Sequence, residues 1–462
     1  MLLALCTLAF ADPWRLPLPV GGGLFDVRFS WQLPAPVLMA DGSLIRAHYA
    51  GSQFVVARYP IVADKPAWTW SQPAPVSVAA PVFVAPFTSP AAPADLQALG
   101  GAAPWLADAD ESRVRVFVGA SGSSTAAVLD AKVGKMLQHS DEPNAGFAGV
   151  LTEPGGSFAQ AWSHDGVLSV KAWDKTGKPL ATLKGTVPAG PSLYVDAAWK
   201  EKGLQDSALG HDGSLLLAVG EGKGRLPLEL WAPDGGTRKT PTLIDTMAEE
   251  LLLRQTPSGG ALVLLRESKG GLGQATVDLQ ACVALAGDTA PVCHALGLEA
   301  LVGQKPGRWE VISALETAEG GFVLAVQANH DMVDRTITRI RGDVVLLGVA
   351  ADGTLAWHQR VPYKASVVLS GTVDDLVAPA ALVRDGTRTV FVTATSFGGM
   401  FDPHWRMEAR ALDAAGRPAE EAFAVHETDG VPLTDSLSCA SARCAVTEQS
   451  RSGDTLTTVV FD

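Results

Sequence analysis

A short unit of strand, hairpin and acidic turn recurs along this 462-residue chain, and that recurrence limits the fold more than any single motif does. Seven Asp-Gly dipeptides begin at Asp41, Asp165, Asp212, Asp234, Asp352, Asp385 and Asp429. Beside alternating apolar residues, Asp-Gly signals a hairpin of the two-residue kind, in which both central residues take positive φ. Aliphatic runs follow several of them: Leu215-Leu216-Leu217-Ala218-Val219, Val390-Phe391-Val392-Thr393 and, after Gly320-Gly321, Phe322-Val323-Leu324-Ala325-Val326. They are short and apolar, as strands are.

A second half of the unit, an apolar strand running into an acidic turn and a glycine, recurs as well. It reads Val170-Lys171-Ala172-Trp173-Asp174-Lys175-Thr176-Gly177 and Leu228-Glu229-Leu230-Trp231-Ala232-Pro233-Asp234-Gly235. It returns before Asp352-Gly353 and as Ala409-Arg410-Ala411-Leu412-Asp413-Ala414-Ala415-Gly416. Counted this way, the units start near residues 41, 110, 165, 212, 259, 320 and 385. Two consecutive spacings of 47 fit a four-stranded propeller blade of about 40–50 residues. The spacing predicts an all-β, single-domain β-propeller over residues 12–462 with about seven blades, six or eight being the alternatives. The strands Cys439 to Cys444 and Thr455 to Phe461 are expected to lie near an N-terminal strand, Leu24 to Trp31, because pairing the chain ends removes exposed sheet edges.

The stretch from Glu319-Gly320-Gly321-Phe322 to Asp352-Gly353-Thr354-Leu355-Ala356-Trp357 resembles the blade signature of exported bacterial β-propeller repeat proteins. In that signature a Gly-Gly-aromatic strand leads to an Asp-Gly-x-x-x-Trp hairpin. The resemblance implies a toroidal propeller, often without known activity. Trp is missing after Gly177 and after Gly416, so those units depart from it.

Composition adds the setting. The net charge of −13 disfavours nucleic acid or an anionic membrane as a general partner. Residues 1–11 are uncharged and apolar and end in Ala9-Phe10-Ala11, which reads as a signal peptide. They are too short to span a bilayer and no later stretch qualifies, so no transmembrane segment is expected. Leu5 before Cys6 disfavours a lipid anchor. A periplasmic, cell-surface or secreted location follows. The four remaining cysteines then read as two local disulfides, Cys282 with Cys293 and Cys439 with Cys444, with buried thiol pairs as the alternative. Eight prolines between Pro66 and Pro104 exclude a helix or a central strand there and suggest an extended arm or loop.

Catalytic signatures are missing: there is no Gly-x-Ser-x-Gly, no His-Glu-x-x-His and no Walker loop at Gly220-Glu221-Gly222-Lys223-Gly224. Neighbouring units do each place a histidine among acids, Asn329-His330-Asp331-Met332-Val333-Asp334 and Phe401-Asp402-Pro403-His404-Trp405. If those loops share one face of the ring, His330, Asp331, Asp334, Asp402 and His404 form a candidate site for a divalent metal or for acid–base work. No cofactor is otherwise expected. His164 and His211 read as structural residues and Asp374-Asp375 as a solvated turn. Most of the twelve tryptophans, among them Trp31, Trp68, Trp70, Trp105 and Trp405, are expected to pack between sheets. The leading reading is an exported, non-enzymatic propeller that binds a protein, glycan or surface component. Its rival is a propeller enzyme: a metal-assisted hydrolase, lactonase or quinone-dependent dehydrogenase. A surface module that assembles with its neighbours is the third reading.

Overall fold

The structure, a computed structural model, describes residues 13–17, 35–50, 53–73, 104–109, 112–120, 123–143, 146–153, 155–164, 167–186, 202–221, 225–239, 243–244, 248–269, 276–285, 290–302, 308–333, 337–363, 366–369, 377–399, 402–450 and 455–462. These residues build eight antiparallel four-stranded blades. Blade 1 holds Val37–Leu38, Leu44–Ala50, Gln53–Tyr59 and Trp68–Pro73; blade 2 holds Pro104–Ala109, Arg113–Ala120, Ser123–Asp130 and Met136–Pro143. Blade 3 runs Gly146–Thr152, Phe158–His164, Val167–Trp173, Pro179–Thr186, and blade 4 runs Lys202–Leu209, Leu215–Glu221, Leu228–Trp231, Thr237–Lys239. Blade 5 is Ala248–Gln255, Ala261–Lys269, Thr276–Ala284 and Val292–Ala295; blade 6 is Arg308–Glu316, Phe322–Val333, Ile337–Val349 and Leu355–Val361. Blade 7 is Ala380–Asp385, Arg388–Gly399, Asp402–Ala411 and Ala424–Thr428. Blade 8 takes Val431–Ala440, Arg443–Gln449 and Leu456–Phe461 from the C-terminal end and Trp14–Pro17 from the other. First strands touch across six of the eight seams, which places them around the axis of the ring. The strand ends joined by the one-to-two and three-to-four turns define one face, called lower here, and the opposite strand ends define the upper face.

The expected count of about seven is therefore corrected to eight. The missing unit is blade 8, whose first turn, Ser441-Ala442, has both residues at positive φ (50° and 62°) and contains no glycine to announce it. The unit placed at residue 165 also shifts: blade 3 makes its first turn at Gly156, while Asp165-Gly166 lies between its second and third strands, outside the described residues. Closure falls to Trp14–Pro17, which pairs with Val460 to Thr457, rather than to Leu24–Trp31, which is outside the described residues. Within the Pro-rich stretch, Trp68–Pro73 is the outermost strand of blade 1 and Pro104 opens blade 2; residues 74–103 are outside the described residues.

The Asp-Gly turns at Asp41, Asp212, Asp234 and Asp352 differ from the expected two-residue form, which the pairing of His164 with Val167 keeps at Asp165-Gly166. At Met39–Ser43 the Gly42 amide donates to Met39 O (2.9 Å) and the Met39 amide to Ser43 O (2.9 Å), and only Gly42 has positive φ. That is a type I turn followed by a left-handed glycine, the three-residue hairpin loop. The aspartate works through its side chain: Asp41 Oδ1 accepts from the Ser43 amide and hydroxyl, and Asp212, Asp234 and Asp352 accept from the amide two residues on.

Apolar layers fill the seams between blades, as in Leu262, Leu264, Phe322 and Leu324 between blades 5 and 6. Among the described residues the seam between blades 2 and 3 has no such cluster; there Arg115 lies over the Phe158 ring and donates to Lys175 O (3.1 Å). Outer-strand side chains cross to the next blade's lower turn. A Cβ on Gly134 of blade 2 would lie 2.6 Å from Trp68 of blade 1, and one on Gly416 of blade 7 would overlap the Trp357 ring of blade 6. Both disulfides form, Cys282 to Cys293 across the outer strands of blade 5 and Cys439 to Cys444 across the first hairpin of blade 8.

Two stability predictions follow. Gly416 has φ of 74° and no room for a methyl, whereas Gly259 (φ 78°) faces open space. Gly259→Ala is expected to cost about 1 kcal/mol from the backbone alone, and Gly416→Ala about 3 kcal/mol, because overpacking is added. Denaturant unfolding of the two variants would show equal losses if the ring contact were unimportant. His48, 7% exposed and beside Arg46, is the second case: burial, then the Arg46 charge, lowers its pKa to about 4. The unfolded chain therefore binds a proton that the native state refuses between roughly pH 6.5 and 4, so stability falls as pH falls through that window. Replacing His48 by Gln is expected to remove up to about 3 kcal/mol of that acid dependence in thermal unfolding curves taken across the window.

Candidate functional site

The second and third strands of blades 6 and 7 run longer than their counterparts and extend further on the upper side. Four of the five expected site residues, His330, Asp331, Asp402 and His404, fall there, in strands rather than in loops that follow a first strand. His330 and Asp331 belong to the second strand of blade 6, opposite Ile340 and Arg339; Asp402 and His404 belong to the third strand of blade 7, opposite Gly399 and Phe397. Asp334 is outside the described residues, as are the side chains of His330, Asp331 and Asp402. His404 is the one whose contacts are seen. Its Nδ1 meets Asp429 Oδ1, and its ring stacks on Phe397, its cross-strand neighbour, at 5.5 Å and 24°.

Asp429 stands in the link from blade 7 to blade 8, where the Gly430 amide donates to Thr428 Oγ1 (3.0 Å). Below it, His426 Nε2 and Glu448 Oε1 are 2.5 Å apart with both side chains buried, and Arg15 Nη1 donates to Glu448 Oε2 (3.1 Å). Glu448 thus joins three elements: the outer strand of blade 7, the second strand of blade 8 and the closing strand. Burial pushes its pKa up, but the hydrogen bond and charge of His426 and the charge of Arg15 outweigh that, and the carboxyl is held below its ordinary value. At the rim, Arg406 bonds Glu427 (2.9 Å) and Glu408 (2.7 Å).

Arg15, Phe397, His404, Glu427, Asp429 and Glu448 line a cleft of about 590 Å³ between blades 7 and 8. Its wall combines an exposed aromatic ring (Phe397, 47%), three carboxylates (Glu427, Asp429, Glu448), one guanidinium (Arg15) and the hydroxyls of Thr428, Ser450, Thr455 and Thr457. Such a wall can stack on an apolar ring face while accepting and donating hydrogen bonds around it. The sequence marked His404, and marked Asp429 only as a turn residue. Phe397, Glu427, Glu448 and Arg15 went unmarked; the run His426-Glu427-Thr428-Asp429 was the signal available, and Arg15 joins from the far end of the chain.

A second charged group sits at the lower ends of the innermost strands. Arg254 of blade 5 pairs with Glu316 of blade 6, and Arg384 of blade 7 donates to the Glu316 carbonyl. Burial raises the Glu316 pKa and lowers that of Arg254. These contacts tie three blades together near the axis. No group of three or more His, Cys, Asp and Glu side chains suited to a metal is found among the described residues. Asp374-Asp375 and the side chain of His164 are outside them, and the backbone oxygen of His211 accepts from Ser157 of blade 3 (3.2 Å).

The chain has the fold of a β-propeller. No family model and no curated protein matches it. Solved structures with a similar fold include the dihydro-heme d1 dehydrogenase NirN in complex with DHE, at 14% identity over 74% of this chain and 59% of that one, TM-score 0.37. The β-propeller domain of the Trilobed protease from Pyrococcus furiosus is similar at 9% identity over 77% of this chain and 93% of that one, TM-score 0.34. The Nup133 β-propeller domain of Vanderwaltozyma polyspora is similar at 8% over 75% and 91%, TM-score 0.37. Because this chain spans only 59% of the NirN length, and because identities are this low, the likeness concerns fold alone.

Removing the Glu448 carboxylate leaves His426 and Arg15 facing a gap at the seam. Glu448→Ala is expected to cost about 3 kcal/mol or more, as loss of one partner from a buried charged pair does. A denaturation midpoint unchanged from wild type would contradict the seam role.

Proposed function

We propose that this chain is an exported, non-enzymatic binding propeller that holds a hydroxyl-rich ligand, a glycan, in the upper-face cleft between blades 7 and 8. The observation that carries the reading is the exposed Phe397 ring fixed on His404 and edged by Glu427, Asp429 and Arg15. A saccharide presents an apolar ring face to an aromatic side chain and hydroxyls to carboxylates and guanidinium, and this cleft offers both. Export is supported by the apolar residues 1–11 with their Ala-Phe-Ala end and by two disulfides, which persist in oxidising compartments. The blade 6 motif ending in Trp357 supports placing the chain among the exported bacterial propeller repeat proteins it resembles.

The test is binding of the purified chain to a panel of immobilised glycans, with Phe397→Ala alongside. Retention of at least one glycan, weakened roughly tenfold or more by Phe397→Ala, is the expected result, since loss of a stacking contact is worth about 1.4 kcal/mol. No retention, or retention indifferent to Phe397, would sink the glycan reading. A released product on incubation would move the His404 and Asp429 pair to the enzymatic alternative, where histidine beside a carboxylate serves as a base.

A further inference from the structure

The large apolar side chains exposed among the described residues are Ile61, Val62, Val133, Met136, Leu137, Val292 and Phe397. The first five come from one place: the adjacent lower turns of blades 1 and 2 and the start of the blade 2 outer strand. Two contacts fix those turns side by side, for Arg58 Nη1 and Trp68 Nε1 of blade 1 both donate to Ala131 O of blade 2 (2.9 and 3.0 Å). Val62 is 73% exposed and has φ of 60°. A β-branched residue in the left-handed region is strained, and a polar or glycine residue would sit there at lower cost. The strain is spent on holding an aliphatic side chain in water at the tip of a turn.

In the third-to-fourth-strand turns of blades 1 to 3, lysines outnumber acids. Lys65 flanks Val62, Lys132 and Lys135 flank Val133, and Lys175 and Lys178 occupy the equivalent turn of blade 3, all five exposed. The three acidic residues in these turns are Asp64, Asp130 and Asp174, and the last two are engaged by the amides of their own turns; in the neighbouring first turns Asp41 pairs with Arg58, and Asp110-Glu111 are outside the described residues. At physiological ionic strength charges farther away than about 8 Å are largely screened, so the −13 of the whole chain does not govern this rim.

We propose that this patch seats the ring on an anionic lipid surface. Ile61, Val62 and Val133 enter the boundary between headgroups and acyl chains, and the lysines meet the headgroup phosphates, the arrangement that peripheral membrane contacts use. The patch is made of protruding turn tips, which suits a yielding surface better than a rigid partner. A second copy packed on it two-fold would set its lysines against their own equivalents. The proposal is independent of what the upper-face cleft binds.

The experiment is flotation of the purified full chain with vesicles of phosphatidylglycerol and phosphatidylcholine in equal parts, and with phosphatidylcholine alone. Binding is expected to the first and to weaken roughly tenfold or more in Val62→Asp with Val133→Asp, in Lys132→Glu with Lys135→Glu, and in about 0.5 M salt. Val62→Gly separates binding from folding: it relieves the backbone, so thermal stability is expected to rise while vesicle binding falls. Failure of the wild-type chain to float with the anionic vesicles overturns the proposal, as does binding unchanged in the variants. Concentration-dependent dimers abolished by Val62→Asp with Val133→Asp, without vesicle binding, would assign the patch to contact between copies and also overturn it.

Discussion

Among the described residues each blade packs against a neighbour on both faces, through an apolar cluster at every seam but the one Arg115 fills between blades 2 and 3, and a single four-stranded sheet can cover neither face. Burial is completed only by a neighbour on each side, so a linear stack would leave two faces bare and the ring has to close. The join is made by four residues. Trp14–Pro17 supplies the outer strand of blade 8, and Leu16 enters the cluster that also holds Leu38, Leu44, Tyr59 and Val460. Arg46 of blade 1 donates to the carbonyls of Leu16 and Pro17 (3.1 and 3.0 Å), which grips the strand from the other side of the seam. Burial, and after it the Arg46 charge, disfavours the protonated form of His48 beside this contact.

Seams elsewhere vary, and their differences follow from side-chain size. Trp68 and Trp357 reach across to turns where Gly134 and Gly416 leave room for a ring. In blade 3 the corresponding glycine, Gly177, receives the shorter Gln138, and in blade 6 Gly353 receives His294. The turns at Gly134, Gly177, Gly353 and Gly416 thus do two jobs. Their glycines supply the left-handed conformation that ends a type I turn, and they leave space for the preceding blade's outer strand.

The left-handed conformation explains what could be read in the chain. Gly42, Gly213, Gly259 and Gly320 each mark a first turn, and all are visible as glycines in the sequence. Ser441-Ala442 makes the same connection in blade 8 through two non-glycine residues at positive φ, so its blade was passed over as a trailing strand pair. Asp165-Gly166 misled in the opposite sense, since a dipeptide reports a turn without saying which pair of strands it joins. The disulfides were legible because each links facing residues of one hairpin or strand pair, close in sequence. The site was half legible. Phe397 and His404 face each other by register, but Glu448, Arg15 and His426 meet only because the ring brings the two ends of the chain to one seam.

Glu448 therefore belongs to the closure and to the cleft at once. Its Oε1 is held by His426 and its Oε2 by Arg15, yet both Glu448 and Arg15 also line the cavity. A ligand that contacts this pair would bind a seam that exists only when the closing strand is in place, so its binding free energy adds to ring closure by mass action. The converse also holds. Anything that loosens Trp14–Pro17 removes Arg15 from the cleft and uncovers one side of blade 8, which couples occupancy at the upper face to the integrity of the whole ring.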